Sequence, residues 1–158
     1  MRRIRVYADT SVFGGTQDEE FSDASMWLFE KAKQGAWVIL ISQITLDELL
    51  GAPDSVRSVL EDLPPDAVEE VAVDDEVRAL ADAYVAAGAL GPARRNDARH
   101  IAAATVAGAD AILSWNFRHV VNFERIRKYN GVNVLNGYHP VAIHSPLEMG
   151  YEDEKQDI

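Results

Sequence analysis

Five consecutive apolar residues, Trp37-Val38-Ile39-Leu40-Ile41, stand between Gly35 and Ser42. A run of strand length with no polar alternation suits a strand buried on both faces, and such strands belong to parallel sheets covered by helices on either side. The flanking segments fit that frame. Ile4–Ala8 reads as a strand stopped by Asp9-Thr10-Ser11, and Gly14-Gly15-Thr16 as a loop. Ser22 is placed to cap a helix carrying Met26, Trp27, Phe29 and Ala32, closed by Gly35. A short helix spans Gln43 to Leu50, and Pro53 opens another that runs to Asp62 before Pro64-Pro65. Val68–Val73 fits strand or helix. Asp74 caps a helix through Val85, and Asn96 or Asp97 starts one that runs to Ala107 and closes at Gly108. Ala109–Leu113 and Val132–Leu135 read as strands, with a helix over Phe117–Tyr129 between them. Strands alternating with helices give an α/β class, a three-layer α/β/α arrangement around a mainly parallel sheet.

The 158 residues suit one domain, expected over 1–149, followed by an acidic tail over 150–158 expected to be disordered. Fifteen Lys and Arg against 26 Asp and Glu give a net charge of −11, which disfavours non-specific attraction to nucleic acid or an anionic membrane. It leaves room for a nucleic-acid substrate, because acids can serve as metal ligands. The absence of cysteine excludes disulfides, thiolate zinc sites and a cysteine nucleophile, and is compatible with a cytoplasmic location. No apolar run approaches the roughly 18 residues of a membrane span, and no apolar signal stretch precedes Asp9.

In open α/β sheets, sites form beyond the carboxyl ends of the strands. Those ends are polar in this sequence: Asp9-Thr10-Ser11 after the first strand, Ser42 and then Asp47 and Glu48 after the second, and Ser114-Trp115-Asn116 after Ala109–Leu113. Asp97 opens the preceding helix in line with Ile101 and Ala104, its apolar face. Each acid has a plainer explanation. Asp97 suits a helix start, Asp9 suits an Asx-turn, and Asp47 and Glu48 are equivalent by periodicity. Convergence distinguishes them: three acids from separate segments meeting at one sheet edge require a cation to offset their repulsion. Oxygen donors without cysteine select a hard ion, Mg²⁺ or Mn²⁺, whose natural chemistry is phosphoryl transfer or phosphodiester hydrolysis.

Four segments resemble the motifs of the PIN-domain family of metal-dependent ribonucleases. They are Tyr7-Ala8-Asp9-Thr10-Ser11-Val12, Thr45-Leu46-Asp47-Glu48-Leu49-Leu50, Asn96-Asp97-Ala98 with its alanine-rich continuation to Ala104, and Ile112-Leu113-Ser114-Trp115-Asn116-Phe117. They occur in the family's order. The resemblance implies a PIN fold with an Mg²⁺ or Mn²⁺ site from Asp9, Glu48 and Asp97, with Ser114 and Asn116 nearby in catalytic roles. It also implies an endoribonuclease of the VapC toxin type, inhibited by a small antitoxin, and a homodimer. The departure is Asn116, where many members carry a fourth Asp; this leaves an alternative, a PIN-fold binding module with weak or no catalysis. An aspartate-nucleophile phosphohydrolase would need a second Asp two residues after the first, where Ser11 stands.

Basic residues gather around the third and fourth motifs. Arg94, Arg95 and Arg99 flank Asp97, and Arg118, His119, Arg125, Arg127 and Lys128 follow Asn116. Arg94, Arg95, Arg99, Arg118 and Thr10 are candidate contacts to an RNA substrate, against solvated helix surface as the alternative. His100 fits a satisfied helix-face histidine better than a ligand, and Trp115 fits core packing better than base stacking.

Overall fold

The computed structural model describes residues 2–156. Five strands form one sheet: β1 (Ile4–Ala8), β2 (Trp37–Ser42), β3 (Val68–Val71), β4 (Ala111–Leu113) and β5 (Ala142–His144). All pairings are parallel, in the order β3-β2-β1-β4-β5. Among the described residues eight α-helices accompany them: α1 (Thr10–Gly15), α2 (Ser22–Lys33), α3 (Gln43–Leu50), α4 (Asp54–Glu61), α5 (Asp75–Ala86), α6 (Arg95–Val106), α7 (Phe123–Leu135) and α8 (Tyr151–Gln156).

Successive residues of the central strands feed opposite faces of the sheet, as the period of two requires. Tyr7, Val38, Leu40 and Ile112 join a core with Leu80 and Tyr84 of α5, Ile101 of α6 and Tyr129 of α7. Val6, Ala8, Ile39, Ile41, Ala111 and Leu113 join a second core with Phe13 of α1, Leu28 and Phe29 of α2 and Val56 of α4. This is the three-layer α/β/α architecture expected from the run at Trp37. The chain runs outward from β1 through β2 to β3, then returns to β4 on the other side of β1. The switch point therefore lies between the carboxyl ends of β1 and β4, where open α/β sheets bind ligands.

Three expectations are corrected. Gly14 and Gly15 belong to α1 or its end rather than to a loop, because Asp9 caps a short helix directly off β1. Val132–Leu135 is the last turn of α7 and not a strand; Asn122 caps that helix by accepting from Arg125 N–H, and Val132 shares the buried face of Tyr129. The real edge strand is Ala142–His144, three residues lying between Pro140 and Pro146. The tail expected to be disordered forms α8 over Tyr151–Gln156, while residues 157 and 158 lie outside the described residues. Tyr151 meets Trp27 edge-on at 5.9 Å, and Lys31 Nζ reaches Glu154 Oε2 at 2.7 Å. Trp27 also packs against Trp37, so the aromatic face of α2 is in large part covered within the chain. Among the described residues no helix is long and apolar enough to cross a membrane.

Candidate active site

A cavity of about 150 Å³ opens at the switch point, lined by Asp9, Thr10, Ser11, Glu48, Asp97, His100 and Asn116. Four segments supply it. Asp9 leaves β1 with its backbone N–H on Leu113 of β4 (3.2 Å), and its Oδ1 accepts from Ser11 N–H (3.1 Å) and Ser11 Oγ (2.5 Å). The Asx-turn reading of Asp9 is thus realised, and the same residue lines the cavity. Glu48 comes from α3, whose start is fixed by a capping box between Ser42 and Thr45. Asp47, equivalent by periodicity, instead accepts from Gln43 Nε2 at 2.8 Å and faces away from the cavity. Asp97 and His100 come from α6.

Burial, the largest influence, raises the pKa of Asp9; the charge of Asp97 adds to it, while His100, Ser11 and Ser114 oppose it. Burial likewise raises Asp97, with Glu48 adding and His100 and Arg94 opposing. Glu48 is lowered, chiefly by its hydrogen bond from His100. The Asp9 and Asp97 shifts describe two poorly solvated carboxylates that a cation would help to keep charged. Among the described residues, no three carboxylate or imidazole groups stand close enough to hold one ion unaided. The donor set, three carboxylates lining one cavity, still fits a hard divalent ion that retains waters in its shell. Asp9, Glu48 and Asp97 are the residues that would hold it.

Other expected site residues fall into distinct places. Ser114 is fully buried and off the cavity wall; its Oγ accepts from Asn116 N–H (3.0 Å) and lies 3.4 Å from Ser11 Oγ. Its contribution is to brace the loop, and Ser11 takes the wall position. Asn116 is on the wall, but its Oδ1 accepts from Arg118 N–H (3.2 Å) and His119 N–H (2.9 Å), closing its own turn. Thr10 donates to Glu48 Oε1 at 2.8 Å. Trp115 is core: it stacks on Phe21 at 4.1 Å and its indole donates to Ser25 Oγ.

A second hollow of about 320 Å³, lined by Glu48, Ala93, Arg94, Arg95, Asn96 and Asp97, shares two acidic walls with the first. Arg95 is paired with Asp82, while Arg94 is exposed beside it. Arg118 is exposed, and Arg94, Arg118 and Arg125 act together to lower the pKa of His119, whose burial is the leading cause. The basic residues of the third and fourth motifs thus share one region. Arg99 is half-buried and lines neither hollow.

Two residues with an evident place in the site were not selected from sequence. Ser11 lay unmarked inside the first motif. His100 fits the satisfied-histidine description, with Tyr7 Oη 2.6 Å from its Nδ1, yet its Nε2 lies 2.6 Å from Glu48 Oε1. The spacing of one helical turn from Asp97 was the available signal.

No family model matches the sequence, and no curated protein matches it. Solved structures do share its backbone. VapBC2 from Rickettsia felis, bound to a DNA fragment from its promoter, superimposes with a TM-score of 0.58 over 90% of this chain and 98% of that one, at 16% identity. The fold is PIN-like. FitAcB from Neisseria gonorrhoeae gives a TM-score of 0.54 over 91% of this chain and 99% of that one, at 15% identity. At such identities the likeness concerns the fold, and the PIN-like arrangement accounts for why four motifs scattered from Tyr7 to Phe117 gather at one sheet edge.

Proposed function

We propose that this chain is an Mg²⁺- or Mn²⁺-dependent endoribonuclease, and that it is the toxin of a toxin–antitoxin pair. The observation that carries the reading is the convergence of Asp9, Glu48 and Asp97 on one cavity at the switch point of a parallel sheet. The bound ion would supply a Lewis acid and an activated water at a phosphodiester. The chain's own residues do the rest. Burial beneath the β1 and β4 ends keeps Asp9 poorly hydrated, and Ser11 fixes its orientation. Arg94 offers positive charge on the hollow it shares with Glu48 and Asp97, and exposed Arg118 follows Asn116 two residues on; both suit the phosphates flanking a scissile one. Asn116 holds the loop that carries Arg118. A local basic edge on an acidic molecule favours a polyanion bound in one register over non-specific adhesion.

The toxin assignment, a small antitoxin partner and a homodimer rest on the resemblance to VapC-type proteins, supported by the fold shared with VapBC2 and FitAcB. The test is cleavage of a mixed RNA pool with Mg²⁺ or Mn²⁺, with chelator and Asp9→Asn as controls. Cleavage that requires the ion and Asp9 is the expected result. RNA binding without cleavage in either ion would replace this reading with the binding-module alternative.

A further inference from the structure

Glu48 lies on an exposed stretch of α3, yet its carboxylate is held at a single oxygen from two sides. Thr10 Oγ1 donates to Oε1 at 2.8 Å, and His100 Nε2 lies 2.6 Å from the same atom. A carboxylate only accepts, so the imidazole Nε2 carries the hydrogen. The imidazole is itself fixed. His100 is 4% exposed, its Nδ1 is 2.6 Å from Tyr7 Oη, and the two rings meet edge-on at 5.6 Å. Tyr7 Oη also lies 2.8 Å from Ser42 Oγ. Ser42 caps α3, the helix that bears Glu48. The chain of contacts therefore closes on itself, from the end of β2 through β1 and α6 back to α3.

Satisfaction of buried polar groups explains the inner links, since Tyr7 and Ser42 are fully buried and need partners. It explains the outer one only from the side of His100, whose buried Nε2–H needs an acceptor, and not from the side of Glu48. Water could solvate half-exposed Glu48 equally well, and fixing a long flexible side chain opposes its rotamer entropy. What the His100 bond adds is direction. Both donors fall on Oε1, and among the described residues no protein donor meets Oε2.

We infer that His100 is a positioning residue, held by Tyr7, whose Nε2–H fixes Oε1 of Glu48 and presents Oε2 to a divalent cation bound with Asp9 and Asp97. This rests on the metal-dependent reading of the site. Hydrogen-bonded partners of ligating carboxylates typically matter by about 10–100-fold in metal affinity.

The experiment titrates Mn²⁺ alone into the full chain by calorimetry, for the parent, His100→Leu, His100→Gln and Tyr7→Phe, with thermal melts to confirm folding. A second readout needs no metal: three-bond couplings of the Glu48 side-chain methylenes report whether it occupies one rotamer. His100→Leu is expected to weaken Mn²⁺ by about 10–100-fold. His100→Gln, whose amide can donate near the Nε2 position, recovers most of that loss, and Tyr7→Phe falls between. Couplings show one rotamer in the parent and averaging in His100→Leu. Equal Mn²⁺ affinity for the Leu and Gln variants overturns the inference, as does rotamer averaging in the parent. A parent that binds no Mn²⁺, yet shows a fixed Glu48 released by His100→Leu, overturns the metal reading of the site while supporting the hold of His100 on Glu48.

Discussion

Gly15 and Trp115 approach so closely that a β-carbon at position 15 would lie 2.6 Å from the indole Nε1 and 2.7 Å from Ser25 Oγ. The contact pins the end of α1 against the loop leaving β4. Trp115 N–H donates to Ser11 Oγ, so the same contact sets the spacing between Asp9-Ser11 and Ser114-Asn116. Neither neighbour is a flexible chain end, because the indole is stacked on Phe21 and bonded to Ser25. Gly15→Ala is expected to destabilise by about 1–3 kcal/mol, the range for overpacking a filled core. Urea denaturation measures it, and indole fluorescence should shift as the Trp115–Ser25 bond is lost.

Asp9→Asn tests the charge of the site without breaking its geometry, since an amide oxygen can still accept from Ser11. The folded pKa of Asp9 is raised by burial above that of the unfolded chain. The metal-free fold therefore binds a proton the unfolded chain has released, and its stability falls as pH rises from the ordinary aspartate range of about 3.9 through the raised value. Asp97 shifts in the same sense. Glu48, lowered by His100, works the other way: its contribution is present above its unfolded pKa and is lost on acidification through the folded one. Asp9→Asn is expected to raise the metal-free Tm at pH 7 and flatten its fall with rising pH. It should also abolish any Tm gain from Mn²⁺. Thermal melts across pH, with and without Mn²⁺, check both outcomes.

Much of this site was legible in the sequence because strands and their first polar residues are local signals. The apolar run at Trp37 fixed the parallel sheet, and the acids at strand ends followed from it. Periodicity left Glu48 and Asp47 equivalent and only the motif resemblance favoured Glu48; in three dimensions Gln43 takes Asp47 and His100 takes Glu48. Val132–Leu135 misled because four apolar-rich residues fit either period, and the cap that decides the matter, Asn122, lies a full helix away. The three-residue β5 is too short to carry any period, and only pairing with β4 makes it a strand. Asn116 lines the cavity and Ser114 lies behind it, and the oxygens of both accept from backbone N–H groups that brace a loop, a choice set by those neighbouring groups and not by residue type.

Arg94 and Arg95 are adjacent in sequence and differ in availability. Arg95 is paired with Asp82, so a polyanion there would have to displace an existing partner, whereas Arg94 stands exposed on the hollow beside Asp97. Arg94→Ala is expected to reduce the salt slope of RNA binding by about one. Arg95→Ala should change it less. Binding measured over a range of salt in chelator, where cleavage is suppressed, compares the two; equal slopes would remove Arg94 from the phosphate-binding edge.

Truncation after Gly150 would be silent for a disordered tail and takes on a different meaning with α8 in place. Removing Tyr151 uncovers Trp27, and removing Glu154 frees Lys31. Partial burial of one aromatic side chain amounts to about 1 kcal/mol, or roughly 2–4 °C in Tm for a chain of this size. The truncated protein should melt lower by that amount and show a red-shifted tryptophan spectrum. An unchanged Tm would return the tail to its role as a bystander.

Asn116 stands where a fourth carboxylate would add charge to the site. Asp9, Glu48 and Asp97 together balance about one divalent ion, with little left for a second. The Asn116 carbonyl does not make up the difference, because its Oδ1 is occupied by Arg118 and His119 N–H. One tight Mn²⁺ is therefore expected without substrate, and a second only when RNA phosphate completes its shell. Asn116→Asp preserves an acceptor for the turn and adds a negative charge to the cavity wall, so it should tighten the second ion while lowering the metal-free Tm through like-charge repulsion. Asn116→Ala separates the roles: it removes both hydrogen bonds of the turn closure, at about 1 kcal/mol each, without adding charge. Calorimetric titration of Mn²⁺ into the three proteins decides between them. Two equally tight ions in the parent would show that Asn116 does not limit the charge of the site, and its effect would then lie in the loop that carries Arg118.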